Sequence, residues 1–445
     1  MFGNLFAETT AVTEEAFAQS LMSLNKTGAA VVTGTTAELT REKAAQYIVK
    51  YLGYEAIAKD LSSNQVFSDV TTNIGEINLV NDLGIITGTT TFSPNTVLTE
   101  EEVQTILSRL QTKLQTPLVW KHACYAINSS SQMDWISDYD AVSFGWSVLT
   151  SDSDGNFNVK IDETTSDFKV PSGFEEPLDL AAANGTETYL MVYFVDSKGK
   201  AAQLFSNEEM KKKVIDELTA FSKGVTKDGQ TRSFDGVTVD FEGFFDSSLK
   251  SPYTAFLKDL KVALNAEGKK LNVALQPTLY YNGYNYKEIG ETADHVILMA
   301  HDYGAFRLSD YEKSIGYTET PLTPINEVYK ALYEASSQIA DKSKIALQIS
   351  FASLQWQLQD GKVINASAYK PSYDKIEDRL AEAGTEQYFN RYTQSSYAVY
   401  MEAGIRNIIW YENTASITAK TDLARLLGIN GISYWRLGTI PESCR

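Results

Sequence analysis

Cysteine is nearly absent. Two residues in a chain of 445, Cys124 inside an apolar run and Cys444 one residue from the end, cannot supply a disulfide framework. No run approaches the roughly 18 apolar residues of a transmembrane helix, which argues against a helical membrane span. Met1 to Thr10 is too short for an export signal and lacks its basic start, although Phe6-Ala7-Glu8 resembles the new N-terminus left when such a signal is removed. Basic residues are in deficit, 39 against 57 acidic ones, for a formal charge of −18. Such a charge repels a phosphate backbone and disfavours nucleic acid or anionic membrane as a partner; a neutral ligand fits better. No His/Cys cluster has metal-ligand spacing, no glycine loop is built to cradle phosphate, and no Ser or Cys sits in a nucleophile motif. The expectation is therefore no metal and no cofactor.

What is present is the composition of a soluble globular protein, with 43% apolar and 22% charged residues. Aromatics are plentiful, 25 Tyr, 20 Phe and 6 Trp. Most belong to a core, but flat faces edged by hydroxyls also suit sugar rings. The length exceeds one ordinary domain of roughly 100–200 residues and accommodates a barrel plus a smaller module.

The first hundred or so residues carry a weak repeat. Leu39-Thr40-Arg41-Glu42 opens an apolar-periodic stretch ending at Leu52-Gly53, and Leu98-Thr99-Glu100-Glu101-Glu102 opens another over Val103, Ile106, Leu107 and Leu110. Between them come Phe67-Ser68-Asp69-Val70, a short helix over Ile77–Val80, Gly84-Ile85-Ile86-Thr87-Gly88 and Phe92-Ser93-Pro94. This order resembles the S-layer homology repeat, one full copy and the tail of another across about residues 35–112. The resemblance implies a mainly helical module that associates with a cell-wall polymer, in which Arg41 would help hold the anionic wall. Glu100 takes the equivalent place in the second copy. Residues 1–34 read as a leader or linker, and residues 116–442 as a second domain.

In that second domain apolar β-rich runs alternate with amphipathic helical segments, the pattern of βα units and a parallel sheet. Eight strands are expected, centred on Ala123–Ile127, Ala141–Trp146, Tyr189–Phe194, Val237–Phe241, Leu271–Leu275, His295–Met299, Ile345–Ile349 and Gly431–Trp435. The fold class is α/β, a (β/α)8 TIM barrel whose chemistry sits at the C-terminal ends of its strands. Phe351 to Gly404 is too long for a loop and reads as an insertion after strand seven that walls the cleft.

The chemistry concentrates in Phe234-Asp235-Gly236-Val237-Thr238-Val239-Asp240-Phe241-Glu242. Alternation places Thr238, Asp240 and Glu242 on one face of a strand and Val237, Val239 and Phe241 on the other. With the apolar set against the surrounding helices, the polar set points inward, with Glu242 at the mouth. Two carboxylates this close disfavour joint ionisation, which keeps a proton available for a departing sugar oxygen.

This segment resembles the D-G-x-D-x-D-x-E signature of glycoside hydrolase family 18, with Thr238 in place of one acid. Met299-Ala300-His301-Asp302 looks like that family's sixth-strand M-x-Y-D motif, and Gly431–Trp435 like its eighth strand. Trp410-Tyr411-Glu412, with Ser416-Ile417 and Lys420, is similar to a stretch found in the spore-cortex and wall-lytic branch. The resemblance spans about residues 118–440. It implies hydrolysis of glycans containing N-acetylglucosamine, from peptidoglycan, spore cortex or chitin, outside the cell or at its surface. Glu242 would protonate the leaving oxygen, and Asp240 would orient the substrate's own acetamide as nucleophile. His301, in the tyrosine's place, would donate to the acetamide oxygen, and Trp435 would floor the subsite. Asp302, Tyr303, Thr238, Gln276, Trp146 and Tyr125 are expected to line the cleft. The alternative is a lectin-like protein of the same fold that has lost catalysis; retention of Glu242 argues for the enzyme.

Overall fold

The computed structural model describes residues 11–197 and 199–445. Met1 to Thr10, the first part of the leader or linker expected over residues 1–34, lie outside these residues. All eight expected strands form: β1 (Trp120–Tyr125), β2 (Ala141–Ser151), β3 (Glu187–Val195), β4 (Gly236–Glu242), β5 (Lys270–Leu275), β6 (His295–Leu298), β7 (Ile345–Ser350) and β8 (Gly431–Trp435). They pair in parallel in chain order, and β1 bonds to both β8 and β2, so the sheet closes on itself as an eight-stranded barrel. Helices such as Glu208–Lys223, Lys250–Ala266, Ile325–Gln338 and Thr414–Leu426 surround it. Among the described residues no helix is long and apolar enough to cross a membrane.

Strand β4 shows how sequence becomes register. Val237, Val239 and Phe241 are fully buried, and Phe241 stacks on Tyr253 and Phe256 of the helix after it. Asp235 anchors the strand's start, accepting hydrogen bonds from Thr188 N at 2.8 Å and Thr188 Oγ1 at 3.1 Å. Gly236 is required by space: a Cβ there would sit 2.3 Å from the Lys270 carbonyl.

The segment after β7 is an insertion, and it runs further than the sequence pattern indicated. Leu354–Gln359, Lys362-Val363, Glu386–Asn390, Ser395–Glu402 and Ile405–Tyr411 form a five-stranded antiparallel sheet with Ile405–Tyr411 at its centre. The end is therefore Tyr411 rather than Gly404, because the last strand needs partners on both edges. Trp410 is a core residue of this sheet, its indole N–H donating to the Thr318 carbonyl at 2.6 Å. Glu412 follows the insertion and accepts from Lys420 Nζ at 2.8 and 3.0 Å, from Ser416 Oγ at 2.5 Å and from Thr323 Oγ1. The Trp-Tyr-Glu stretch thus ties the insertion to the last helix.

The N-terminal part is helical: α1 (Glu14–Met22), α2 (Arg41–Leu52), α3 (Glu55–Leu61), α4 (Ile74–Asp82) and α5 (Glu100–Gln115). Helix α1 stands within residues 1–34, where a leader or linker was expected; Phe17 and Leu21 are fully buried, so Glu14–Met22 is part of the packed module. It also reveals a third helix start of the same kind. Thr13, Thr40 and Thr99 are N-caps accepting from Ala16 N, Lys43 N and Glu102 N at 3.2–3.3 Å. The residues before them close a backbone ring: Val12 N donates to Leu98 O at 3.3 Å, Leu98 N to Leu39 O at 2.8 Å and Leu39 N to Val12 O at 2.8 Å. The module lies against the barrel through Lys26, which pairs with Asp422 at 3.2 Å with both side chains buried. Tyr54, also buried, donates to the Ala419 carbonyl at 3.3 Å.

Candidate active site

Strand β4 delivers Thr238 and Asp240 into the barrel interior and Glu242 to its C-terminal mouth. Gln276, just past β5, holds Glu242. Its Oε1 accepts from the Gly243 N–H at 2.7 Å, so its amide nitrogen must face the other way, where it meets Glu242 Oε2 at 3.4 Å. Asp240 is 4% exposed, and its Oδ1 has no hydrogen-bond partner among the described residues. Burial, with the Glu242 charge adding to it, pushes the Asp240 carboxyl well above the usual carboxylate range. Burial also raises Glu242; His301 pulls it back and Asp302 pushes it up again. The two acids thus retain a proton between them under conditions where exposed carboxyls have lost theirs.

The His301 side chain lies just past β6. Its Nδ1 meets Asp302 Oδ2 at 2.8 Å and its Nε2 meets Gln348 Oε1 at 2.9 Å. Burial disfavours the imidazolium, but Asp302, Gln348 and Glu242 outweigh it and raise the pKa above its ordinary value. With both partners oxygen acceptors, a doubly protonated ring satisfies both contacts. This departs from the expected role: neither ring nitrogen is free to donate to a substrate oxygen. Asp302 adopts a φ of 63°, the left-handed region that Asp tolerates better than most residues.

Three cavities meet at Asp302. A narrow recess of about 150 Å³ holds Thr238, Asp240, Glu242, Tyr193, Gln348 and Trp435. A lobe of about 420 Å³ is bordered by Glu242, Gln276, Tyr281, His301, Asp302 and Tyr303. A wider lobe of about 670 Å³ opens past Trp435 toward the insertion. The structure thus gathers Glu242, Asp240, Thr238, Gln276, His301, Asp302, Tyr303 and Trp435. The Tyr303 hydroxyl is buried without a partner among the described residues.

Trp146 and Tyr125 do not join them. Trp146 is 2% exposed and packs on Phe144, Phe174 and Phe234 outside the strands, with Tyr125 against it. The inward positions of their strands are His122 and Ser143, hydrogen bonded to each other at 2.8 Å, so Tyr125 has the opposite parity. Trp146 lies at the irregular step of β2 between Phe144 and Ser147, and both aromatics line a separate cavity of about 670 Å³ that shares Ala126, Ile127 and Asp167 with the wide lobe. Arg41 is far from the cleft, in the N-terminal module. Its Nε donates to Phe92 O at 2.8 Å and its Nη2 to Thr87 O at 3.0 Å, so it braces its own module beside a groove of about 270 Å³.

Two residues that sequence reasoning missed belong to the recess. Tyr193 sits opposite Asp240 in the β3–β4 register, and Gln348 reaches from β7. Each lies in a run apolar enough on both faces that alternation does not reveal which side chains point inward.

A model of glycosyl hydrolases family 18 matches residues 123–439. The cortical fragment-lytic enzyme of Bacillus subtilis (strain 168) is 24% identical over 261 residues, 56% of this chain and 55% of that protein. The chain thus spans about half the length of that relative. The spore cortex-lytic enzyme SleL of Bacillus cereus superposes with a TM-score of 0.57 at 20% identity, covering 73% of this chain and 72% of that one. A chitinase from Chromobacterium violaceum ATCC 12472 does so with a TM-score of 0.56 at 20% identity, covering 73% and 96%. Likeness at these identities is a likeness of fold; the family match over most of the barrel goes further, and the chain belongs to glycosyl hydrolases family 18.

Proposed function

We propose that the chain is a retaining hydrolase of β-linked glycans containing N-acetylglucosamine, from peptidoglycan, spore cortex or chitin, and that it uses the substrate's acetamide as nucleophile. The observation that carries this reading is the pairing of Glu242 at the mouth with Asp240 in a recess, one carboxylate oxygen of Asp240 being buried without a partner. An acetamide N–H is a suitable donor for that oxygen. Its hydrogen bond favours the Asp240 anion and so shifts the shared proton to Glu242, where the leaving oxygen needs it. The acetamide oxygen attacks the anomeric carbon as the glycosidic bond breaks, and Glu242 protonates the departing oxygen. The cationic oxazolinium then rests beside Asp240. Water adds to the same face, losing its proton to Glu242, so configuration is retained. Because the acetamide is already attached at C2, orientation alone gives it a high effective molarity.

Glu242→Gln keeps the shape but cannot deliver a proton. Turnover should fall on the order of 10²–10⁴-fold while glycan binding survives; more than half of wild-type turnover would refute the assignment. Full activity on a deacetylated substrate would refute the acetamide mechanism. Glycan binding with no turnover by the wild-type chain would place it with the lectin-like members of the fold.

The N-terminal module is read as S-layer homology-like and wall-associating, which suits work at a cell wall or spore. Equal retention on intact walls by the full chain and an Arg41→Ala variant would remove Arg41 from that role.

A further inference from the structure

The chain is strongly acidic overall, yet the wide lobe past Trp435 presents two cations, Lys370 and Arg436. Neither has an ion-pair partner within 4 Å, and neither head group has a hydrogen-bond acceptor, among the described residues. Lys370 is exposed, its Nζ 4.9 Å from the centre of the Phe306 ring. Arg436 is half-buried, and burial lowers its pKa. A guanidinium removed from water without an acceptor is costly, so its place in a cleft wall asks for an explanation.

The carboxylates of this lobe do not supply one. Asp302 is engaged by His301 at 2.8 Å. Asp167 is near enough for Arg436 to feel its charge without pairing with it. Asp302 also feels the Lys370 charge, but no carboxylate of the lobe lies within ion-pair distance of either cation, so both head groups remain open to a ligand.

We propose that this lobe is a subsite for a carboxylate borne by the glycan, held by Arg436 with Lys370 beside it. The proposal rests on the glycosidase reading and narrows its substrate class to acidic wall glycan over neutral chitin. Trp435 borders both the lobe and the recess holding Asp240 and Glu242. A chain whose acetamide sits at Asp240 therefore extends an adjoining unit along this wall. A guanidinium offers a carboxylate two parallel N–H donors, and a lactyl ether on an N-acetylmuramic unit carries such a carboxylate.

The test uses the full chain and two matched oligosaccharides of alternating N-acetylglucosamine and N-acetylmuramic units, one with free lactyl carboxylates and one with them converted to methylamides. The ratio of kcat/KM, acidic over neutral, should be about 10-fold or more in the wild type and fall with added salt. It should collapse toward one in Arg436→Gln and in Lys370→Met, the second being an exposed position whose change leaves the core alone. Arg436→Lys should keep part of it. A wild-type ratio near one, or a ratio unmoved by both substitutions, overturns the subsite while leaving the glycosidase reading intact. If neither oligosaccharide is cleaved, that reading fails, and the same ratio of Kd values by calorimetry decides the subsite. Absence of binding to either overturns both.

Discussion

His301 carries a different burden from the one its position in the motif implied. Its ring is spent on Asp302 and Gln348, so its influence on Glu242 is electrostatic: it opposes the rise that burial imposes on the acid. Replacing it with Phe removes that opposition and leaves the Asp302 charge unmatched, and both changes raise the Glu242 pKa. The basic limb of the kcat/KM profile, where the proposed acid Glu242 loses its proton, should move to higher pH in His301→Phe. The loss in turnover should be smaller than the roughly 10²–10³-fold typical of removing a direct donor. An unmoved basic limb in the pH–rate profile would refute the electrostatic role.

A second histidine supplies a stability prediction. His122 is fully buried between Ser433 and Ser143, each at 2.8 Å, and burial pulls its pKa down to about 3. Above the ordinary value of 6.5 it is neutral in both folded and unfolded chains, and its contribution is fully present. As pH falls below that value the unfolded chain takes up the proton first, so stability is lost progressively toward pH 3. One such proton contributes a slope of up to about 1.4 kcal/mol per pH unit. Denaturant titrations should show a shallower acid slope for His122→Asn than for wild type.

At the level of elements, the Lys420–Glu412 ion pair is buried where the strand Ile405–Tyr411 hands over to the last helix. Lys420 and Glu412 have side-chain exposures of 0% and 3%, and Ser416 and Thr323 complete the carboxylate's shell. Removing one partner strands a charge in the interior. Lys420→Met should therefore cost about 3–5 kcal/mol, and the double variant with Glu412→Leu should recover part of that loss. Chemical denaturation of the three variants measures both. An additive double variant would mean the charges do not act as a pair. The motif's likeness to wall-lytic proteins is thus a matter of architecture: it fastens the insertion whose strands and turns border the wide lobe.

For the whole molecule, the apolar core runs without a break from Phe17, Ile48 and Leu79 in the module to Leu332 and Leu423 on the barrel's helices. Lys26, Tyr54 and Lys113 add polar ties to the last helix. Calorimetry of the full chain should therefore show a single transition, and a chain starting at Thr116 should have a lower Tm than the full chain. Two separate transitions, with the second matching that of the shortened chain, would show an independent module.

The sequence alone determined the eight barrel strands, the helical character of the N-terminal module and the pairing of Asp240 with Glu242. The helices show a period of 3.6 and the acids of β4 a period of two, while the other strands stand out as short apolar β-rich runs between helical segments. Only the tertiary structure decided the direction of Trp146 and Tyr193, because strands buried on both faces are apolar throughout and lose their parity signal. It alone showed Thr13 as a third helix start, since the closing ring joins Val12, Leu39 and Leu98 through backbone groups that leave no mark on side-chain identity. It also decided what His301 can do: one of its partners is Gln348, brought beside it only when β6 and β7 pair.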